Sequence, residues 1–249
     1  MSPRDELSLR LRSDVDGPDG RAQLSLLGGF GLDAAGESLD FPPHVQRLLA
    51  FLALQGRPLH RAYVAGRLWL DHSQENAHGC LRTTLWRMGR LPCRVVVATN
   101  THLALAASVA VDMRALEASC ARILHEGALP ARKDLDRLVD APDLLPDWYE
   151  DWVLQERERL RQLRLLALEA AGERLLRAER YQEAALAALA AVGSDPLRES
   201  AYRLLISVYL GEGNVAEALR QFAVFRTLLL RDLGLEPSPR ILELVQQVG

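Results

Sequence analysis

An internal repeat in the second half is the feature that most constrains what this chain can fold into. RYQEAALAAL (residues 180–189) aligns with NVAEALRQFA (residues 214–223), superposing Glu183 on Glu217 and Ala184 on Ala218, an offset of 34 positions. The residues ahead of both runs keep that offset, for Leu168 matches Tyr202, Leu175 matches Tyr209 and Leu176 matches Leu210. Asp195-Pro196 and Gly211-Glu212-Gly213 fall between the apolar-periodic runs, where loops are needed. A unit of this length buries its apolar face only against a neighbour, so the pattern calls for stacked helical hairpins.

A period near 34, with small residues where two helices cross, is the mark of tetratricopeptide-type hairpins; a coincidental helical bundle is the alternative. A further helix is predicted over residues 148–164, ahead of the repeats, and a last one over 239–248. Stacks of this kind hold no catalytic machinery and offer a surface to a peptide or protein. Trp148 and Trp152, at i and i+4, read as core packing or an inter-domain wedge rather than a ligand cage.

The first half has a different rhythm. Residues 1–20, with Pro3, Gly17, Pro18 and Gly20, read as a flexible leader with a loose strand at 7–11. QLSLLGGFGLD, AAGES and LDF then suggest two or three short antiparallel strands joined by glycine turns. Pro42-Pro43 opens a helix over residues 44–55, with Val45, Leu48, Leu49 and Leu52 inward and Gly56 closing it. A second helix covers residues 61–70, with Val64, Leu68 and Trp69 inward. Residues 71–74 turn the chain into a third helix, and after Pro92 the runs CRVVVATN and THLALAA form a hairpin about Asn100.

That third helix, ENAHGCLRTTLWRMGRL (residues 75–91), separates its chemistry by face. Ala77, Leu81, Leu85 and Met88 form a predicted core stripe, with Leu85 at its centre. The opposite face carries Asn76, Gly79, Thr83, Trp86, Arg87 and Arg90, with Arg82 on its flank and no acidic residue after Glu75. An ordinary surface helix mixes signs, so this face suits an anion, the plainer reading being a solvated basic face. The charge distribution agrees: residues 21–100 hold 9 Arg against 5 acidic residues, whereas residues 101–249 hold 18 basic against 23 acidic. Five of the six histidines lie at or before His102, so the positive charge of this half grows in mild acid. Two helices joined by a short turn, the second basic, followed by a hairpin, form a winged helix-turn-helix, whose later helix enters the major groove of DNA.

Other classes find no support. Cys80, Cys93 and Cys120 show no C-x-x-C spacing, and His78 with Cys80 lies two residues apart, which does not share a helix face; neither a disulfide framework nor a metal site is predicted. No signal peptide or membrane-length apolar run occurs. A glycine-rich phosphate loop, paired metal ligands and a nucleophile elbow are all missing, so neither an enzyme nor a cofactor is expected.

LWLDHSQENAHGCLRTTLWRMGRL and AYRLLISVYLGEGNVAEALRQFAVFRTLLLRDLGLEPSPRILEL resemble the Streptomyces antibiotic regulatory protein (SARP) type of transcriptional activator. EALRQF, LLRDLGLEPSPRILEL and LLPDWYEDWV look like its most characteristic segments, and the resemblance covers roughly residues 21–248. It implies a winged-helix DNA-binding domain joined to a bacterial transcriptional activator domain. It further implies binding to direct repeats upstream of promoters, recruitment of RNA polymerase holoenzyme and control of a biosynthetic gene cluster, with no ATPase module in this chain. The wing, VATNTHLAL, lacks the glycine-tyrosine turn and the basic residue that family wings often carry.

The expected architecture is therefore mainly α with a small β component. A leader (1–20) precedes a winged helix-turn-helix (21–111) and an all-α tetratricopeptide-like helical repeat domain (112–249). Arg82, Thr83, Trp86, Arg87 and Arg90 are expected to face double-stranded DNA, with Arg61, Arg94 and Asn100 as flanking contacts and Arg57 and His60 near helix ends. A homodimer on promoter repeats, in the cytoplasm and on the nucleoid, completes the expectation. The rival is a protein-interaction scaffold whose basic helix meets an acidic protein.

Overall fold

The computed structural model describes residues 22–34, 36–89 and 94–246; the leader with its strand at 7–11, and Arg90, Pro92 and Cys93, lie outside the described residues. The chain divides into two compact units. One takes the residues up to Met113 together with Leu144–Tyr149, and the other takes Arg114–Asp143 and the chain from Glu150. A single boundary after residue 111 does not anticipate the return of residues 144–149 to the first unit.

The first unit opens with strands β1 (Gln23–Ser25), β2 (Gly31–Ala34) and β3 (Glu37–Ser38), paired antiparallel with Leu24 opposite Leu32. The third of the two or three expected strands is β3 within AAGES, and the pairing runs one bond further, the Leu39 N–H donating to the Leu32 carbonyl at 2.9 Å. Strand β7 (Ala110–Val111) adds to β1 in parallel, giving the order β3-β2-β1-β7. The Asp112 carboxylate follows at once and accepts the backbone N–H groups of Leu26 and Leu27, each at 3.0 Å. Leu145 donates its N–H to the Leu26 carbonyl at 2.8 Å, and Trp148 stacks on Phe30 with ring centroids 6.2 Å apart. Trp148 is thus a packing residue of the first unit.

Helix α1 (Pro43–Gln55) starts with a proline where no N–H is needed and ends at Gly56, in the left-handed region at φ 60°, whose N–H reaches the Leu52 carbonyl. Val45 and every residue from Leu48 to Leu54 are buried. The helix is therefore wrapped on nearly all sides rather than along one stripe, as its apolar composition demands. Helix α2 (Arg61–Leu68) follows strand β4 (Leu59–His60) and is capped by His60; it stops short of residue 70, leaving Trp69 half-buried instead of inward.

Helix α3 (Gln74–Met88) packs against α1 and α2. Ser73 caps it, accepting the Asn76 N–H at 3.4 Å. It ends before residue 91 because Gly89 closes it, donating to the Leu85 carbonyl at 3.0 Å. The buried stripe is Ala77, Leu81, Thr84 and Met88, and Leu85 is only half-buried. The geometry explains this correction: relative to the mean direction of the other three, Thr84 lies about 40° away and Leu85 about 60°. Burying Thr84 is tolerable because its hydroxyl donates to the Cys80 carbonyl at 2.8 Å. The hairpin of β5 (Val96–Ala98) and β6 (His102–Leu105) follows, with β4 as an unforeseen third strand in the order β4-β6-β5. Leu59, Val97 and Leu103 are buried in this small sheet.

The second unit is helical: α4 (Asp112–His125, from Arg114 onward), α5 (Arg132–Val139), α6 (Asp151–Arg177), α7 (Tyr181–Ser194), α8 (Glu199–Gly211), α9 (Val215–Leu233) and α10 (Pro239–Gln246). The helix expected at 148–164 begins three residues later and continues to Arg177 without a break. Helices α7 and α9 start at Tyr181 and Val215, 34 positions apart, which is the offset of the sequence repeat. Ala184, Ala187, Ala188 and Ala191 line the buried face of α7. A Cβ on Gly172 would stand 2.6 Å from Leu204 Cδ2, so any side chain there would have to push Leu204 aside where α6 passes α8. Tyr202 stacks on Phe225 at 4.5 Å within a cluster that includes Ile206, Leu229 and Ile241. Arg164 donates to the Leu138 and Val139 carbonyls at the C-terminal end of α5, a site where the helix dipole favours a cation.

Candidate nucleic-acid interface

The buried stripe of α3 determines which of its residues face outward. Arg82, Thr83, Trp86 and Arg87 are exposed, Trp86 by 59%, together with Asn76. Gly79 is half-exposed between them. The Thr83 hydroxyl donates to the Gly79 carbonyl at 3.1 Å, which orients its lone pairs away from the helix. No carboxylate pairs with Arg82 or Arg87 among the described residues. Arg87 instead donates from Nη1 to His44 Nε2, 3.2 Å away, in the first turn of α1. Burial, and then the Arg87 charge, lower the pKa of His44. The imidazole therefore stays neutral at neutral pH and keeps a lone pair for the guanidinium.

All of these except Trp86 line an open cleft of about 660 Å³ between the start of α1, the turn from Trp69 to His72 and α3. Glu75 is the lone acid among its described walls, against Arg82 and Arg87. Guanidinium forks of this kind can bond bidentately to phosphate or to guanine O6 and N7, and a threonine hydroxyl can serve either.

The remaining expected residues are placed differently. Arg61 is half-buried, and its backbone N–H donates to the Thr101 carbonyl at 2.8 Å, which ties the start of α2 to the wing turn. Asn100 is exposed at the tip of that turn, Arg94 is exposed ahead of β5, and Arg90 lies outside the described residues. Arg57 is exposed after α1, and His60 is occupied as the cap of α2, its Nδ1 accepting the Ala62 N–H. His44 and His72, as walls of the cleft, escape a reading of the sequence, which places Asn76 and Gly79 on the outer face but not among the contacts. The available signal is spacing, since positions 76, 79, 83 and 87 lie on one helical face.

Among the described residues no group of three His, Cys, Asp or Glu side chains could hold a metal ion, and no helix is long and apolar enough to cross a membrane. Cys120 is buried, which pushes its thiol up to about 11. It is protonated and unreactive at neutral pH.

Comparison with known proteins gives three consistent results. Residues 96–248 match the family model of the bacterial transcriptional activator domain. The regulatory protein AfsR of Streptomyces coelicolor is 30% identical over 244 residues, 92% of this chain and 24% of that protein. AfsR of Streptomyces griseus is 28% identical over 217 residues, 81% of this chain and 22% of that protein. The chain thus spans about a quarter of the length of the curated relatives it matches. The solved structure of Mycobacterium tuberculosis EmbR in complex with a low-affinity phosphopeptide superposes with a TM-score of 0.72 at 21% identity, covering 92% of this chain and 65% of that one. At that identity the likeness establishes the fold.

Proposed function

Because this chain belongs to the bacterial transcriptional activator domain family, of the Streptomyces antibiotic regulatory protein type, we propose that it activates transcription by binding specific duplex DNA through α3. The observation that carries this reading is the outer face of α3, where Arg82 and Arg87 stand beside Thr83 and Trp86 with no carboxylate paired to them among the described residues. Arg82 and Arg87 read base edges or hold phosphates in the major groove, with Trp86 covering apolar groove surface such as thymine methyl groups. Arg90, known from the sequence alone, is counted with this set, and Arg61, Arg94 and Asn100 supply contacts from the second helix and the wing.

The helical unit carries the acidic excess of the chain, which disfavours a DNA-binding task and favours contact with protein. Its partner is RNA polymerase holoenzyme. Two copies of the chain occupy direct repeats upstream of a promoter, gaining affinity through effective concentration, and the regulated genes form a secondary-metabolite biosynthetic cluster. A footprint upstream of neighbouring genes, with duplex binding measured across salt concentrations, tests the reading. Protection of repeated sites with a steep fall in affinity as salt rises is expected. A protein scaffold would give neither.

A further inference from the structure

Gly79 is an unexplained glycine on the face that the proposed function assigns to DNA. Glycine within a helix is less favourable than alanine, so on a candidate interface it raises the question of what the missing side chain permits. The usual reason is close packing, which holds at Gly172, where a Cβ would collide with Leu204 at 2.6 Å. It does not hold at Gly79. A Cβ there would meet only the flexible end of Arg82, Nη2 at 3.8 Å, an ordinary contact among the described residues. Nor does the backbone demand glycine, since the residue lies inside regular α3 and its φ is not in the left-handed region.

Its position supplies the missing reason. Taking about 100° per residue, Gly79 lies nearly opposite the buried stripe of Ala77, Leu81, Thr84 and Met88. Asn76 and Thr83 stand one turn before and after it, Arg82 and Trp86 flank it, and its surface lines the cleft. The outermost line of the helix is thus a notch between long side chains. We propose that Gly79 is the point of closest approach to DNA, where the bare backbone of α3 rests against base-pair edges of the major groove. This depth lets Arg82 and Arg87 reach their partners on either side. The inference rests on the DNA-binding reading and adds to it a residue that acts through the absence of a side chain.

Gly66 provides the internal control. It too sits in a helix, α2, where an added Cβ would meet nothing within 4 Å among the described residues, but it lies off the outer face of α3. The full chain is first used to select sites from a random duplex pool, and the selected duplex is then titrated with Gly79→Ala, Gly79→Leu and Gly66→Ala. All three variants are expected to melt about 2–4 °C higher than the parent, because each restores a good helix former. Gly79→Ala is expected to bind the selected duplex roughly tenfold more weakly and Gly79→Leu more weakly still, the cost of about one mismatched base pair or more. Gly66→Ala is expected to bind like the parent.

Equal binding by Gly79→Leu and the parent overturns the proposal, as does equal weakening by Gly66→Ala. Equal loss in Gly79→Ala and Gly79→Leu also overturns it, since that would mark a need for helix flexibility rather than for space. A drop in melting temperature for Gly79→Ala contradicts the open surroundings on which the proposal stands. If the parent selects no sequence at all, the DNA-binding reading fails first and the proposal falls with it.

Discussion

Arg198 in the helical unit makes a fork with Glu169, at 2.7 and 2.8 Å, while Arg161 bridges Glu158 and Asp195 and Arg226 grips Glu236. On α3 of the first unit, Arg82 has no such partner among the described residues and Arg87 has a neutral imidazole. The same residue type is therefore used in two ways. In the helical unit many guanidinium groups are matched internally, most of them to a carboxylate on the same helix and some, like Arg198 and Arg161, to a distant one, so little of that charge is offered outward. On α3 the charge is left unmatched, at some cost in self-repulsion, and is available to an external anion. The net charges of the two halves point the same way but understate the contrast. Pairing, more than composition, separates the arginines that hold the helical unit from those left open on α3.

The largest effect is expected from removing everything after Tyr149. Such a fragment keeps Leu144–Tyr149, whose Leu145 N–H and Trp148 ring hold the first sheet. It is expected to retain sequence preference on DNA while a promoter-reporter assay falls to background. If a fragment that circular dichroism shows to be folded activates like the whole chain, the division of labour between paired and unpaired arginines is wrong. A cut at residue 111 is a poorer test, because it removes that segment.

Glu169→Ala comes next. It strands Arg198 and Ser200, which both donate to this carboxylate, and is expected to lower stability in denaturant titration by about 2–3 kcal/mol. DNA site discrimination is expected to survive. Burial raises the Glu169 pKa, but the hydrogen bonds from Arg198 and Ser200 outweigh it and hold the carboxyl below its usual 4.5. Its contribution is therefore complete above pH 4.5 and is lost as the pH falls through the lowered folded value. A parent whose excess stability over Glu169→Ala stays constant across that window would show the fork to be idle.

On α3 the expected pattern reverses. Arg87→Ala is expected to weaken binding to the selected site by about 1–3 kcal/mol and to relax preference at one base pair, with little change in melting. Equal loss on specific and random duplexes would reassign Arg87 to phosphate. Arg82→Ala, on the flank, is expected to weaken all sequences alike and to reduce the salt slope by about one; an unchanged slope removes it from the interface. The smallest effect belongs to Arg177→Ala in the helical unit, whose partner Glu173 is a surface i,i+4 neighbour. A melting temperature within about one degree of the parent is expected.

Much of this is legible in the residues, and the misses have physical causes. Glycine and proline mark the ends of α1 and the loops of the helical unit well, because those residues act through their own backbone geometry. The face of α3 is readable in outline, yet hydrophobicity favours Leu85 over Thr84 for the core, since it takes no account of the hydroxyl's bond to the Cys80 carbonyl. Leu85→Ala is accordingly a weaker test of the core than substitution of Leu81. His44 gives no signal of its own because its partner Arg87 lies 43 positions away. The strand at Leu59–His60 is too short to show a period.

What the sequence determined by itself was everything carried by local periodicity and backbone chemistry: the 34-residue offset, the order of helices and hairpin, and the segregation of arginines onto one side of α3. Tertiary structure decided what depends on groups distant in the chain. It chose Thr84 over Leu85 for the core and brought His44 to Arg87. It returned Leu144–Tyr149 to the first sheet and matched the arginines of the helical unit to their carboxylates. The reason is that periodicity follows from the angle between successive residues, which each residue carries with it, whereas a hydrogen bond or an ion pair exists only once folding has set both partners within reach.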